Sequence, residues 1–179
     1  MLGQRFLGVE GGCGYFNMLL VSADGYGLVC AGSGTSVDVK ESCFKKCTYA
    51  GLVKPGATAT ATRCGFMENG HYGVGCYGAN TKVRLNDSTM HHNGYYGLVA
   101  RDHAVVDLHG TKTDIHSNKQ DGIFGISNAK VNIHLPLQHN TSHDNEDNNR
   151  SQSMGGSIAN INTDGTFTHV EEVEIDDDY

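Results

Sequence analysis

Histidine and cysteine supply most of the reactive side chains of this chain, and they occupy different parts of it. All six cysteines lie before residue 77, and all ten histidines lie after residue 70. His91 and His116 each follow an apolar residue of one repeating column, and Glu68 occupies the preceding place in the same pattern. Glu and His are metal ligands, and imidazole transfers protons near neutral pH. We therefore consider Glu68, His91 and His116 as metal candidates, with an exposed polar ladder as the alternative.

Aromatic residues form a second candidate set, and they recur at a fixed interval. Tyr49, His71 and Tyr95 share one predicted column, while Tyr26, Tyr72 and Tyr96 share the neighbouring one. Tyrosine combines a flat apolar ring with a polar tip, which suits contact with sugar rings. The expected substrate-binding residues are Tyr49, His71, Tyr72, Tyr95 and Tyr96. The alternative for both columns is packing within turns.

These residues are positioned by an internal repeat of about 24 residues. Its repeat glycines are Gly27, Gly51, Gly73, Gly97 and Gly122, spaced by 24, 22, 24 and 25 residues. A second series reads VDV (37–39), TAT (60–62), VRL (83–85), VDL (106–108) and VNI (131–133). A third series is Phe44, Met67, Met90 and Ile115. Alternation with a period of two is typical of short strands with one buried face.

Three short strands per repeat predict an all-β fold, a right-handed parallel β-helix of about six rungs. Leucine-rich, helical and hexapeptide repeats have patterns that this sequence lacks. Inward ladders should be Leu28, Leu52, Val74, Leu98 and Ile123, and Val37, Thr60, Val83, Val106 and Val131. The repeat glycines are expected at turns that need a positive φ. His109 and His134 should stack as a polar pair.

Asparagine and cysteine also fall into this frame. Asn69, Asn93 and Asn118 form a turn column preceded by Cys47, and stacked amides can bond along the axis. Cys30 and Cys76 share a column two rungs apart, about 9.6 Å by strand spacing, which is too far for a disulfide. Mostly reduced thiols are expected, with Cys43 and Cys47 left open as a local pair.

Composition narrows the function classes. The 179 residues include 24 Gly and only 38% apolar residues, too few for a large core, and the chain is too short for a (β/α)₈ barrel. No apolar run is long enough for a membrane helix, and no signal peptide is recognised. Outside the acidic tail the chain carries 14 acidic and 13 basic residues, so no basic surface for nucleic acid is expected.

The pattern divides the chain into five segments. We expect an N-terminal cap or first partial rung (1–24), the repeats (25–139), an Asn/Asp/Ser-rich exposed loop (140–153), C-terminal strands (154–170) and an acidic tail (171–179). Asp164-Gly165 is a hairpin signal within the C-terminal strands. Because an open β-helix end must be covered or paired, we expect oligomerisation through this end, with a trimer favoured.

The motif NGYYGLVARDHAVVDLHG (93–110), followed by SNKQDGIFGISNAKVNIH (117–134), resembles repeats of the pectin-lyase-like group of parallel β-helix proteins. That group includes pectate lyases, mannuronan C5-epimerases, phage tailspikes and non-catalytic sugar-binding repeats. The stretch 131–170 is similar to repeat proteins of large algal viruses and unicellular algae. The resemblance implies a fold rather than one reaction.

The resemblance leaves three functions open. The first is a non-catalytic carbohydrate-interacting or structural module, virion-associated or extracellular, with no cofactor. The second is a lyase or epimerase acting on uronic-acid polymers, with His91, His116, Tyr95, Arg101 and Asp114 as catalytic candidates. The third is a purely architectural trimeric spike. The Asp-Pro-His motif of the epimerases and the Asp cluster of calcium-dependent lyases are missing, which favours the first.

Overall fold

The fold is a parallel β-solenoid of about six turns, as a computed structural model shows. The structure describes residues 7–134, 141–162 and 164–169. Within those ranges there are 21 strands and no helix. No membrane-spanning helix is therefore found among the described residues. The predicted all-β parallel β-helix is confirmed.

Each full turn contributes one strand to each of three parallel sheets. Sheet A contains β1 (Leu7–Glu10), β4 (Tyr26–Ala31), β7 (Tyr49–Val53), β10 (Val74–Tyr77), β13 (Leu98–Arg101), β16 (Ile123–Ile126) and β19 (Arg150–Ser153). Sheet B contains β2 (Cys13–Asn17), β5 (Ser36–Lys40), β8 (Thr58–Thr62), β11 (Lys82–Asn86), β14 (Val105–His109), β17 (Lys130–His134), β20 (Ser157–Ile161) and β21 (Phe167–His169). Sheet C contains β3 (Leu20–Val21), β6 (Cys43–Lys45), β9 (Gly65–Met67), β12 (Thr89–His91), β15 (Asp114–His116) and β18 (Ser142–His143).

The core is a thin stack of aliphatic side chains inside the three sheets. Alternate residues of each strand point inward, so equivalent residues of successive turns form continuous ladders. Val83, Val106 and Val131 are paired in register, and so are Leu85, Leu108 and Ile133. All six are at most 2% exposed. A stack of this kind buries its interior with less apolar sequence than a sphere needs, which accounts for the low apolar content.

The turn from residue 49 to residue 67 corrects three ladder positions. Gly51, and not Leu52, pairs with Leu28 and Val74, so Leu52 points outward. Ala59, and not Thr60, aligns with the flanking valines. Phe66, and not Met67, lies between Phe44 and Met90. At Gly51/Leu52 and at Phe66/Met67, two adjacent residues are both compatible with the core, so the sequence does not show which of them faces inward. At Ala59/Thr60, the alternating segment TATAT can present either set of side chains to the core.

An asparagine ladder runs along one corner, between sheets C and A. It consists of Asn69, Asn93, Asn118 and Asn145. Each side-chain amide nitrogen donates to the side-chain oxygen of the next asparagine, at 2.9, 2.9 and 2.8 Å. Each also donates to a backbone carbonyl of the preceding turn. The predicted column is confirmed, and Asn145 extends it by one turn.

The residue before Cys47, and the residue before each asparagine of the ladder, has a left-handed backbone although it is not glycine. The φ angles are 55° at Lys46, 55° at Glu68, 55° at His92, 54° at Ser117 and 50° at Asp144. The repeat glycines, by contrast, have no positive φ. All of them except Gly51 are required by close approach; a β-carbon at Gly97, for example, would lie 2.7 Å from the carbonyl oxygen of Gly122. The expectation that these glycines serve positive-φ turns is therefore wrong.

The solenoid continues into the segment expected to be an exposed loop. Within 140–153, β18 pairs in parallel with β15, and β19 pairs in parallel with β16. Ser142 and Ser151 are buried there because hydrogen bonds satisfy their hydroxyls. Beyond it, β21 pairs antiparallel with β20 through a turn at Asp164-Gly165, which forms the predicted hairpin. The acidic tail lies outside the described residues.

The six cysteines are all free. Cys30, Cys47, Cys64 and Cys76 are buried, Cys43 is half-buried and Cys13 is exposed. Burial raises the pKa of the Cys76 thiol to about 12. The four buried thiols pack as small apolar groups, as predicted, and Cys43 does not pair with Cys47.

Candidate functional site

Four aromatic side chains stack along the solenoid at the start of sheet A. This aromatic column consists of Tyr26, Tyr49, His71 and Tyr95. Successive ring centroids are 5.1, 4.6 and 4.8 Å apart, with interplanar angles of 18, 23 and 11°. Tyr26 is 38% exposed and Tyr95 43%. Since the rings stack face to face, the column offers mainly ring edges and polar tips to solvent.

The position of Tyr26 corrects the predicted columns. Tyr26 pairs with Tyr49 in the strand register and stacks on its ring, so it belongs to the first column and not with Tyr72 and Tyr96. Tyr49, His71 and Tyr95 share a column as predicted. The Tyr96 ring stacks on Phe124, with centroids 5.1 Å apart.

The outer face of sheet A beside this column is also aromatic. A β-carbon on Gly75 would lie 2.7 Å from the Tyr72 ring and 3.0 Å from the Tyr77 hydroxyl, so the two rings close over the glycine. They meet edge to face with centroids 6.0 Å apart. The Arg101 guanidinium lies 4.7 Å from the centroid of the Tyr77 ring. Burial raises the pKa of both Tyr72 and Tyr77, so both remain neutral hydrogen-bonding groups.

Tyr77 and Phe124 were missed by the sequence analysis. Each belongs to a strand rather than to the turn that carries the conspicuous tyrosines. The outward position of Phe124 follows from its register with Val99, since the inward residues of the same strands are Ile123 and Leu98. Strand alternation within IFGI was the available signal.

A histidine column lies on the outer face of sheet C. It consists of His91, His116 and His143, with centroid separations of 4.9 and 5.3 Å and nearly parallel rings. Burial, followed by the neighbouring His116 and His92, lowers the pKa of His91. Hydrogen bonding to Asp144, together with the charge of Asp114, raises the pKa of His143.

The set of Glu68, His91 and His116 is not assembled as predicted. Met67, and not Glu68, pairs with His91, because the third turn is shifted by one residue. Glu68 lies at the left-handed corner, where its side chain is exposed. His91 and His116 are stacked neighbours as predicted. The shift therefore removes the carboxylate from the column that was to form the metal site.

The catalytic candidates are divided between different surfaces. Asp114 and His116 lie in β15, where a carboxylate oxygen of Asp114 is 2.9 Å from His143 Nε2. Arg101 ends β13 in sheet A, and its Nε donates to Asp102 at 3.0 Å. Tyr95 lies at the corner before that strand, in the aromatic column. The described geometry gathers an acid and two imidazoles on sheet C but assigns the arginine to another face.

Comparison with known proteins adds no functional assignment to this geometry. No family model, no curated protein sequence and no solved structure matches the chain.

Proposed function

We propose that this protein is a non-catalytic β-solenoid module that binds a carbohydrate polymer along the aromatic column and the adjoining face of sheet A. The observation that carries the proposal is the stacking of four aromatic rings in consecutive turns, 4.6 to 5.1 Å apart. A chain lying parallel to the axis meets an equivalent ring edge in each turn. Phenol hydroxyls and an imidazole supply hydrogen bonds, while Tyr72 and Tyr77 add apolar surface.

We also propose membership of the pectin-lyase-like group, which the motifs at 93–110 and 117–134 support. The proposed virion or extracellular setting rests on the likeness of the stretch 131–170 to repeat proteins of large algal viruses and unicellular algae, and the proposed trimer rests on the need to cover an open β-helix end. The glycan class that the two motifs favour is a uronic-acid polymer such as alginate or pectate. Arg101, on the same face, provides a positive charge for a carboxylate of such a polymer.

The test is a titration of alginate and pectate oligosaccharides into the protein, followed by calorimetry. The variant Y49F/Y95F keeps both rings and removes both hydroxyls, so the column stays stacked. We expect its affinity to fall at least tenfold, since two hydrogen bonds contribute about 1 kcal/mol each. Y15F is the matched control, because Tyr15 is 61% exposed on sheet B. Unchanged affinity in Y49F/Y95F would contradict the proposal, and a glycan screen without any binding would leave the architectural role.

A uronic-acid lyase or epimerase is the second candidate, favoured by the neighbouring Asp114, His116 and His143 on sheet C. Removal of a proton next to a carboxylate needs a base near neutral pH, which imidazole provides. Incubation with alginate or pectate, with and without divalent metal, would reveal unsaturated or epimerised products. Turnover that disappears in H116A would replace the binding proposal with this one.

A further inference from the structure

Two histidines and an aspartate converge on the outer face of sheet B, a different sheet from the one that carries the aromatic column. Asp107 and His109 are two residues apart in β14, so their side chains lie on the same face. His134 pairs with His109 in the neighbouring strand, and the two rings are stacked 4.2 Å apart at 7°. His134 Nε2 is 3.0 Å from the Asp107 carboxylate.

The three side chains meet a geometric requirement of a metal site. One ligand atom from each lies within 4.8 Å of the other two, and all three residues are half-buried. Among the residues that the structure describes, no other three His, Cys, Asp or Glu side chains gather in this way. The histidine column of sheet C is therefore stacked without forming an equivalent ligand group.

The surroundings hold the carboxylate in place. Asn132 is the register partner of Asp107, and its Nδ2 donates to Oδ1 at 2.9 Å. A hydrogen bond of this kind from an outer residue orients a ligating carboxylate. On the opposite side, Arg84 pairs with Asp107 in the register, and its Nε donates to Asn86 at 3.2 Å. The carboxylate is thus bonded to Asn132 and His134 and has a positive charge nearby.

We propose that Asp107, His109 and His134 bind a divalent transition-metal ion of the Zn²⁺ class. Two imidazoles and one carboxylate form a standard three-residue set, which leaves a fourth position for water or another ligand. The ion takes the place of the hydrogen between His134 Nε2 and Asp107, and the neutral imidazole then carries its proton on Nδ1. Ligand distances to such an ion are about 2.0–2.2 Å, so the three ligand atoms, now within 4.8 Å of one another, have to close around it, and the stacked rings of His109 and His134 have to turn towards it.

The site is independent of the proposed carbohydrate function. Its residues belong to β14 and β17 of sheet B, whereas the aromatic column lies at sheet A. Either proposal can therefore fail without the other.

The experiment is a calorimetric titration of Zn²⁺ into the full chain, in a C13S background because the exposed Cys13 thiol is itself a metal ligand. We expect one saturable site. D107N and H134Q should each weaken Zn²⁺ binding by at least about tenfold. Loss of a residue that only orients a metal ligand already lowers metal affinity by about 10–100-fold, and these two residues are proposed as ligands. R84Q removes a nearby positive charge without removing a ligand, so it should tighten binding.

The double variant H91Q/H116Q is the matched control, because it removes two stacked imidazoles from the histidine column. Thermal melting in the presence of EDTA shows whether each variant is folded before titration. Binding that survives in D107N and H134Q but disappears in H91Q/H116Q would overturn the proposal, as would the absence of saturable binding in the parent. An imidazole NMR signal of His134 that shifts on Zn²⁺ addition identifies the ligand directly.

Discussion

Replacement of Asn93 by alanine should be among the most destabilising single changes in the chain. Asn93 is fully buried, and its Nδ2 donates to Asn118 Oδ1 at 2.9 Å and to the Phe66 carbonyl at 3.1 Å. Its Oδ1 accepts from the backbone nitrogen of Asn69 at 3.3 Å and from Asn69 Nδ2 at 2.9 Å. All four bonds lie in the interior, where water cannot replace them.

The magnitude follows from the groups that lose a partner. In N93A, the Asn69 side-chain amide keeps its bond to the Phe44 carbonyl, and Asn118 Oδ1 keeps the Asn93 backbone nitrogen. The Phe66 carbonyl and the Asn69 backbone nitrogen lose the bonds that the side chain provided. The Asn69 backbone nitrogen is left unsatisfied at a cost of about 1–3 kcal/mol, while the Phe66 carbonyl stays in the ladder between β9 and β12 and loses one bond of about 1 kcal/mol, so we expect a loss of about 2–4 kcal/mol. That is a large part of an ordinary domain's stability of about 5–15 kcal/mol.

Urea unfolding followed by circular dichroism measures this loss. N145A is the internal control, because Asn145 closes the ladder in a half-buried position where solvent can replace lost bonds; its cost should be about 1 kcal/mol. In C47N, a new amide at the other end can donate to Asn69, which should stabilise the fold by a similar amount. A loss below about 1 kcal/mol in N93A, or equal losses in N93A and N145A, would refute the reasoning.

Three further predictions concern the core, the histidines and the thiols. A61V should raise the free energy of unfolding by about 1 kcal/mol, because the side chain borders an internal cavity of about 20 Å³; thermal melts that show a loss would contradict this. Because folding lowers the pKa of His91, its contribution to the free energy of unfolding is fully present above about pH 6.5 and is lost as the pH falls. Because folding raises the pKa of His143, its contribution to the free energy of unfolding is present at low pH and is lost as the pH rises. Urea titrations between about pH 7.5 and 5.5 should thus show a weaker acid sensitivity in H91Q and a stronger one in H143Q. A disulfide reagent should modify Cys13 rapidly and Cys76 only after unfolding, and rapid modification of both would show that the interior is open.

The periodicity of the sequence was sufficient for the architecture. Glycine and aliphatic residues recur near 24 residues because each turn must return to the same three sheets, so the count of strands per turn follows directly. The asparagine ladder was also readable, since a polar residue repeated at a fixed column has its partner in the next turn. His109 and His134 were predicted to stack for the same reason, and they do.

The errors occur where the pattern does not distinguish inside from outside. In TATAT (58–62), alanine and threonine alternate and both side chains are small, so either Ala59 or Thr60 could face the core. In the same turn Phe66 takes the inward place expected of Met67, and this shift of one residue moves Glu68 out of the histidine column. The segment 140–153 was misread as a loop because its strands are polar. Its buried serines are satisfied through contacts such as Ser151 with Asp121, which require the folded neighbours to be known.

The left-handed corner before the asparagine ladder has a consequence for the order in which the molecule opens. Its non-glycine residues hold a backbone conformation that costs about 1–2 kcal/mol each, and the amides of the adjacent ladder hold them there. The ladder begins at Asn69, so the turns before Cys47 have no such clamp. In a stack where each turn contacts only its neighbours, such turns exchange their amide hydrogens first. Hydrogen exchange should therefore spread from the N-terminal turns towards a slowly exchanging segment around Asn93.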